Sequence, residues 1–76
     1  MLKKDVFTQK LAERIKKARI DSGLSQEELA HQAGLYRTYI GHIEKGRYSP
    51  SSYVLYKITK ALRIDANELF PGNQTE

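Results

Sequence analysis

The stretch Gln26–Lys45, QEELAHQAGLYRTYIGHIEK, decides the fold. Leu29, Ala30 and Ala33 give its first half an apolar stripe with small residues at helical spacing. Gly34 stands where the chain must turn, and Ile40 and Ile43 supply a second apolar pair, three residues apart. Arg37, Thr38, Gly41 and His42 fall on the side that a short second helix presents outward. The short turn forces the two helices to cross steeply rather than lie antiparallel. The pattern is a helix-turn-helix spanning residues 26–45, an arrangement whose second helix is shaped for the major groove of double-stranded DNA.

Outward from this stretch, the spacing predicts five helices and no strand, an all-α domain with its core over about residues 8–71. The first helix is expected from Thr8, read as its N-cap, to Ser22, with Phe7, Leu11, Ile15 and Ala18 on its buried side and Gly23 ending it. Ser25 and Glu28 form the S-x-x-E capping box that opens the second helix. The third runs from Tyr36 to Lys45 and stops at Gly46. Gly46, Arg47, Tyr48, Ser49 and Pro50 connect it to a fourth helix, capped by Ser51. Val54 or Leu55, Ile58, Ala61 and Leu62 line that helix, and its end near Arg63 has no glycine. Asp65 and Glu68 make another capping box for a short fifth helix with Leu69 and Phe70 inward, closed by Pro71 and Gly72 before a frayed tail.

A chain of 76 residues allows one small domain, expected over residues 1–76. It has no cysteine, which excludes disulfides and Cys-based zinc sites, and His31 and His42 are too few for a metal centre without acidic help. No metal and no cofactor are expected. Nor does any constellation suit catalysis: no paired carboxylates share a face and no glycine-rich loop cradles a phosphate. No apolar run fits a signal peptide or a membrane span, so a cytoplasmic protein is the default expectation. The net charge is +4, and its distribution says more than its sum. Lys3, Lys4, Lys10, Arg14, Lys16, Lys17 and Arg19 face only Asp5 and Glu13 in the first twenty residues, whereas residues 64–76 hold Asp65, Glu68 and Glu76 and no Lys or Arg. A polyanion would be drawn to one side of such a molecule; a solvated helix face with an ordinary tail gives the same counts.

With these residues placed, the chain resembles the Xre-type, lambda-repressor-like helix-turn-helix family, which includes phage repressors and Cro. The resemblance runs from about Leu11 to Phe70. It rests on GLSQEELA (Gly23 to Ala30), AGL (Ala33 to Leu35), RTYIGHIEKG (Arg37 to Gly46), SPS (Ser49 to Ser51) and ELF (Glu68 to Phe70). The Arg-Thr-Tyr-Ile start of the third helix is most like the controller proteins of restriction–modification systems, small dimeric activator-repressors. Three residues depart from the family pattern. Tyr36 replaces the usual capping Asp, Ser or Thr, Ser52 replaces an apolar residue, and Ala18 often has leucine as its counterpart.

The resemblance implies a transcription regulator that occupies a promoter and blocks or recruits RNA polymerase. An antitoxin-type or adaptor protein, working chiefly through a protein partner, is the alternative; a nuclease would need metal ligands that the sequence lacks. Arg37 is the first candidate for base readout, since an arginine can bond guanine O6 and N7 together, with a phosphate clamp as its other role. Thr38 and His42 share its face. Gly41 would let DNA approach closely, at a cost of roughly 1 kcal/mol in helix propensity. Ser25 and Gln26, at a helix start, are candidates for the DNA backbone, as are Tyr36, Tyr39, Lys45, Arg47 and Tyr48. The resemblance implies a structural ion pair between Arg19 and Glu44. Tyr53, Tyr56, Ile64 and Phe70 are more apolar surface than a small domain buries alone, and a homodimer would cover them. Completion of a monomeric core is the other use for them.

Overall fold

The computed structural model describes residues 3–70. Four α-helices, α1 (Lys4–Asp21), α2 (Gln26–Ala33), α3 (Arg37–Glu44) and α4 (Ser52–Leu62), precede a single 3-10 turn, Ala66–Glu68, and no strand occurs among the described residues. The expected fifth helix is thus one 3-10 turn. Its capping box forms as anticipated: Asp65 accepts from the Asn67 N–H at 2.9 Å, and Glu68 from the Asp65 N–H at 3.0 Å. Leu69, only 1% exposed, then plugs into the core directly after the turn. The expected stop at Pro71 and Gly72 and the tail beyond lie outside the described residues.

The helix α1 starts a turn earlier than the sequence suggested, and Thr8 does not cap it. Thr8 is buried inside the helix, and its hydroxyl donates to the Lys4 carbonyl at 2.9 Å. A threonine hydroxyl can satisfy itself on the preceding turn as well as at a helix start. Asp5, in the first turn, complements the helix dipole in place of a cap.

All four helices end the same way. After α1, the Leu24 N–H returns to the Arg19 carbonyl and the Gly23 N–H to Ile20. Leu35 and Gly34 repeat this on Ala30 and His31, and Arg47 and Gly46 on His42 and Ile43. This double bond pattern is the Schellman motif, and it needs a left-handed residue at its centre. Gly23, Gly34 and Gly46 supply it, at φ between 69° and 76°. At the end of α4, Ile64 and Arg63 make the same bonds to Thr59 and Lys60, but the left-handed residue is Arg63, at φ 58°.

The helix starts follow the sequence more closely. Ser25 and Glu28 form the reciprocal capping box at 3.0 and 2.8 Å, and Ser51 accepts from the Val54 N–H at 3.2 Å. Tyr36 gives α3 no side-chain cap. Ser52 is exposed in the first turn of α4, so its lack of an apolar side chain costs no core volume.

Leu11, Ile15, Leu29, Ile40, Ile43, Ile58 and Leu69 are each at most 1% exposed and bring all the helices onto one core. The helix α2 packs on both α3 and α4, and α1 supports α3 from behind. The small Ala18 leaves a groove of about 480 Å³ between α1 and the 3-10 turn, bordered by Lys17, Ile64 and Leu69.

Candidate nucleic-acid interface

The second helix of the pair, α3, buries Ile40 and Ile43 and turns the intervening residues outward. Arg37, Thr38, Gly41, His42 and Lys45 share one shallow concavity of about 220 Å³ with Gln26 from the start of α2. The three residues expected to read bases therefore stand together, with Lys45 and Gln26 beside them. Arg37 and Thr38 are exposed, and His42 is half-buried. Nothing inside the chain requires a glycine at 41: a methyl there would meet only the Gln26 side-chain oxygen, at an ordinary 3.8 Å.

The expected ion pair is present and buried. Arg19 Nε donates to Glu44 Oε2 at 2.7 Å and Nη2 to Oε1 at 3.1 Å, with the two side chains 11% and 2% exposed. Arg19 Nη1 also holds the Leu24 carbonyl at 2.8 Å. Gln26 adds an unexpected third donor, from Nε2 to Glu44 Oε1 at 3.1 Å. One carboxylate thus ties α1, α2 and the end of α3 together. Gln26 keeps one amide hydrogen and its oxygen for another partner. Ser25, next to it, is exposed, with its hydroxyl used in the capping box.

A second cluster, beyond the reach of sequence reasoning, surrounds the end of α3. Tyr39 and Tyr48 stack with ring centroids 5.3 Å apart, and the His42 ring tilts against Tyr48 at 6.1 Å. Arg47 Nη1 lies 2.9 Å from His42 Nδ1. Partial desolvation, and then the neighbouring Tyr39, hold the Tyr48 hydroxyl above the ordinary phenol range. Gln9 of α1 donates to the Gly46 carbonyl at 3.2 Å and steadies the loop from behind. Tyr36 is 84% exposed at the other end of α3, apart from this cluster.

The four residues expected at a dimer contact lie on α4 and in the segments after it. Tyr53 and Tyr56 are 67% and 58% exposed on the outer face of α4, under the ammonium groups of Lys57 and Lys60. Ile64 borders the groove beside the last turns of α1. Phe70 stacks on Phe7 in the first turn of α1, at 6.3 Å. Among the described residues no group of His, Cys, Asp and Glu could hold a metal ion, and no helix is long and apolar enough to cross a membrane.

Two short packed helices joined by a tight turn at Gly34, with a basic, polar outer face on the second, define a helix-turn-helix domain. Residues 15–69 match the helix-turn-helix family model, and the chain belongs to that family. Among solved structures it is similar to the restriction–modification controller protein C.AhdI from Aeromonas hydrophila, with a TM-score of 0.80 and 40% identity over 83% of this chain and 96% of that one. It is 39% identical over 59 residues to the control protein C.SmaI of Serratia marcescens, covering 78% of this chain and 70% of that protein. An HTH-type transcriptional regulator of Archaeoglobus fulgidus is 40% identical over 57 residues, covering 75% of this chain and 81% of that protein.

Proposed function

We propose that this chain is a sequence-specific, double-stranded DNA-binding regulator of transcription that works as a single domain and binds a near-palindromic operator as a homodimer. The observation that carries the reading is the open face of α3, where Arg37, Thr38 and His42 stand beside Lys45 and Gln26 on a helix locked by the Arg19–Glu44 pair. Arg37 and Thr38 read bases, and His42 joins them one helical turn on. Gln26, Ser25, Tyr36, Tyr39, Lys45, Arg47 and Tyr48 hold phosphates. Lysine and arginine contacts supply most of the affinity and make it fall steeply with salt. Two copies related by a two-fold axis would set their α3 helices about 34 Å apart, one turn of DNA. Tyr53 and Tyr56, the largest exposed apolar groups away from the reading face, are together with Ile64 and Phe70 the surface we assign to that contact. The similarity to C.AhdI and C.SmaI supports a role as the controller of a restriction–modification system, acting at a promoter by blocking or recruiting RNA polymerase.

Selection of genome fragments with the purified protein tests this, repeated with Arg37→Ala. The wild type should enrich one short palindrome, and the variant should lose about 1–3 kcal/mol of discrimination at the base pair Arg37 reads. Uniform, salt-sensitive binding with no enriched site would defeat the reading and turn attention to a protein partner.

A further inference from the structure

The contact between Arg47 and His42 has a consequence for which bases the protein accepts. A guanidinium carries only donors and stays charged. With Arg47 Nη1 at 2.9 Å, His42 Nδ1 must therefore be the acceptor, with no hydrogen of its own. A neutral imidazole has one N–H, so its hydrogen sits on Nε2. The ring is also held in place by Tyr48, which is stacked on Tyr39. It borders the same concavity as Arg37, Thr38 and Lys45, and no side chain or backbone group of the described residues bonds Nε2.

We infer that Arg47 is a positioning residue that fixes His42 as a hydrogen-bond donor through Nε2, making His42 a reader of base edges that carry an acceptor. Guanine O6 and N7, adenine N7 and thymine O4 are such acceptors; cytosine offers the major groove only its N4 amino group and is refused. The inference rests on the DNA-reading function proposed above and assigns the ring its chemistry there. It also separates two roles for Arg47. A phosphate contact alone would strengthen binding to all sequences alike. A positioning contact changes which sequences bind.

The test has two arms, both on the full chain. In the first, the free 15N-labelled protein is examined by long-range 1H–15N correlation. His42 should show an unprotonated Nδ1 and a protonated Nε2. The Nδ1 resonance should move in Arg47→Met and return toward its wild-type position in Arg47→Lys, which restores a donor. A protonated Nδ1, or a resonance indifferent to Arg47→Met, overturns the inference without any DNA present. In the second arm, selected sites are compared for the wild type, His42→Ala, Arg47→Met and Arg47→Lys. His42→Ala identifies the base pair that His42 reads. There the wild type should exclude cytosine about tenfold or more. Arg47→Met should admit it, and Arg47→Lys should exclude it again. Uniform weakening by Arg47→Met with cytosine still excluded would leave Arg47 a phosphate contact and overturn the inference. Failure of every variant and of the wild type to select DNA would defeat the proposed function and the base-reading role with it, while the first arm still decides the Arg47–His42 contact.

Discussion

Removing the Glu44 carboxylate should destabilise this protein about as much as emptying a core position of the recognition helix. Glu44 accepts two bonds from Arg19 and one from Gln26, in a site where its side chain is 2% exposed and that of Arg19 is 11% exposed. In Glu44→Ala all three donors lose their acceptor, and Arg19 keeps only the Leu24 carbonyl. Breaking a buried pair by removing one partner costs about 3–5 kcal/mol. At about 0.05–0.15 kcal/mol per residue, a domain of this length has roughly 4–11 kcal/mol in total. The variant therefore loses about a quarter of its stability at best and all of it at worst. At about 4–8 °C per kcal/mol, the melting point falls by about 12–40 °C. Urea unfolding of the wild type, Glu44→Ala, Arg19→Ala and the double variant measures the effect as a thermodynamic cycle. Glu44→Gln, which keeps the shape and one acceptor, covers the case in which the alanine variants do not fold. The double variant should cost less than the sum of the singles by about 2 kcal/mol, because neither charge is left stranded. Single losses below about 1 kcal/mol, additive in the double variant, would mean that the pair behaves like an exposed one and would refute the argument.

Four further outcomes follow from particular residues. Arg63→Gly places glycine where the fourth Schellman motif holds an arginine at φ 58°, and should raise stability by about 1 kcal/mol in thermal unfolding. Gly41→Ala should also stabilise the free protein, by about 1 kcal/mol of helix propensity, yet weaken operator binding in a gel-shift titration if the glycine serves close approach to DNA. Dimer formation through Tyr53 and Tyr56 would oppose the Lys57 and Lys60 of two copies, so sedimentation should show self-association growing with salt while DNA binding weakens. The Ser25 backbone N–H, and then its hydroxyl, hold the Glu28 carboxyl below the usual carboxylate range. Its contribution is therefore present at neutral pH and lost as pH falls through its lowered value, so the advantage of wild type over Glu28→Gln should vanish under acid unfolding conditions well below about pH 4.

How much of this was legible in the sequence depended on whether a feature is made by neighbours in the chain. Capping boxes and glycine stops are local, so Ser25 with Glu28, Asp65 with Glu68, and Gly23, Gly34 and Gly46 could be placed directly. Arg63 adopts the same left-handed conformation without glycine's signature, because the Schellman bonds outweigh a modest steric cost. Thr8 misled for a related reason: one hydroxyl serves equally as a cap or as a back-bond to the preceding turn. Resemblance supplied the Arg19–Glu44 pair. It did not supply Gln26 as its third member, since that bond depends on the angle at which α2 crosses α3. The Tyr39–Tyr48 stack and the Arg47–His42 contact depend on the course of the loop after α3, which no periodicity encodes.

The two ends of α3 are consequently built for different tasks. At its C-terminal end, Glu44 is held by α1 and α2, the Gly46 carbonyl is held by Gln9, and His42 is held by Arg47 and Tyr48. At its N-terminal end the Tyr36 carbonyl takes the Tyr39 N–H at 3.0 Å, but no side chain caps the helix, and Arg37 and Thr38 project from a turn whose first two N–H groups receive nothing from the Tyr36 side chain. A capping aspartate at 36 would contribute about 1 kcal/mol of stability. It would also place a negative charge beside the two residues proposed to meet a polyanion. An uncapped start leaves those N–H groups and the helix dipole available to an anion from outside. On the proposed function, the fixed end would set the angle at which the helix meets DNA and hold His42 in place, and the open end would leave Arg37 and Thr38 free to adjust to the bases. On this division, substitutions around Glu44 should change affinity for all sites together, whereas substitutions at Arg37 and Thr38 should change which site is chosen.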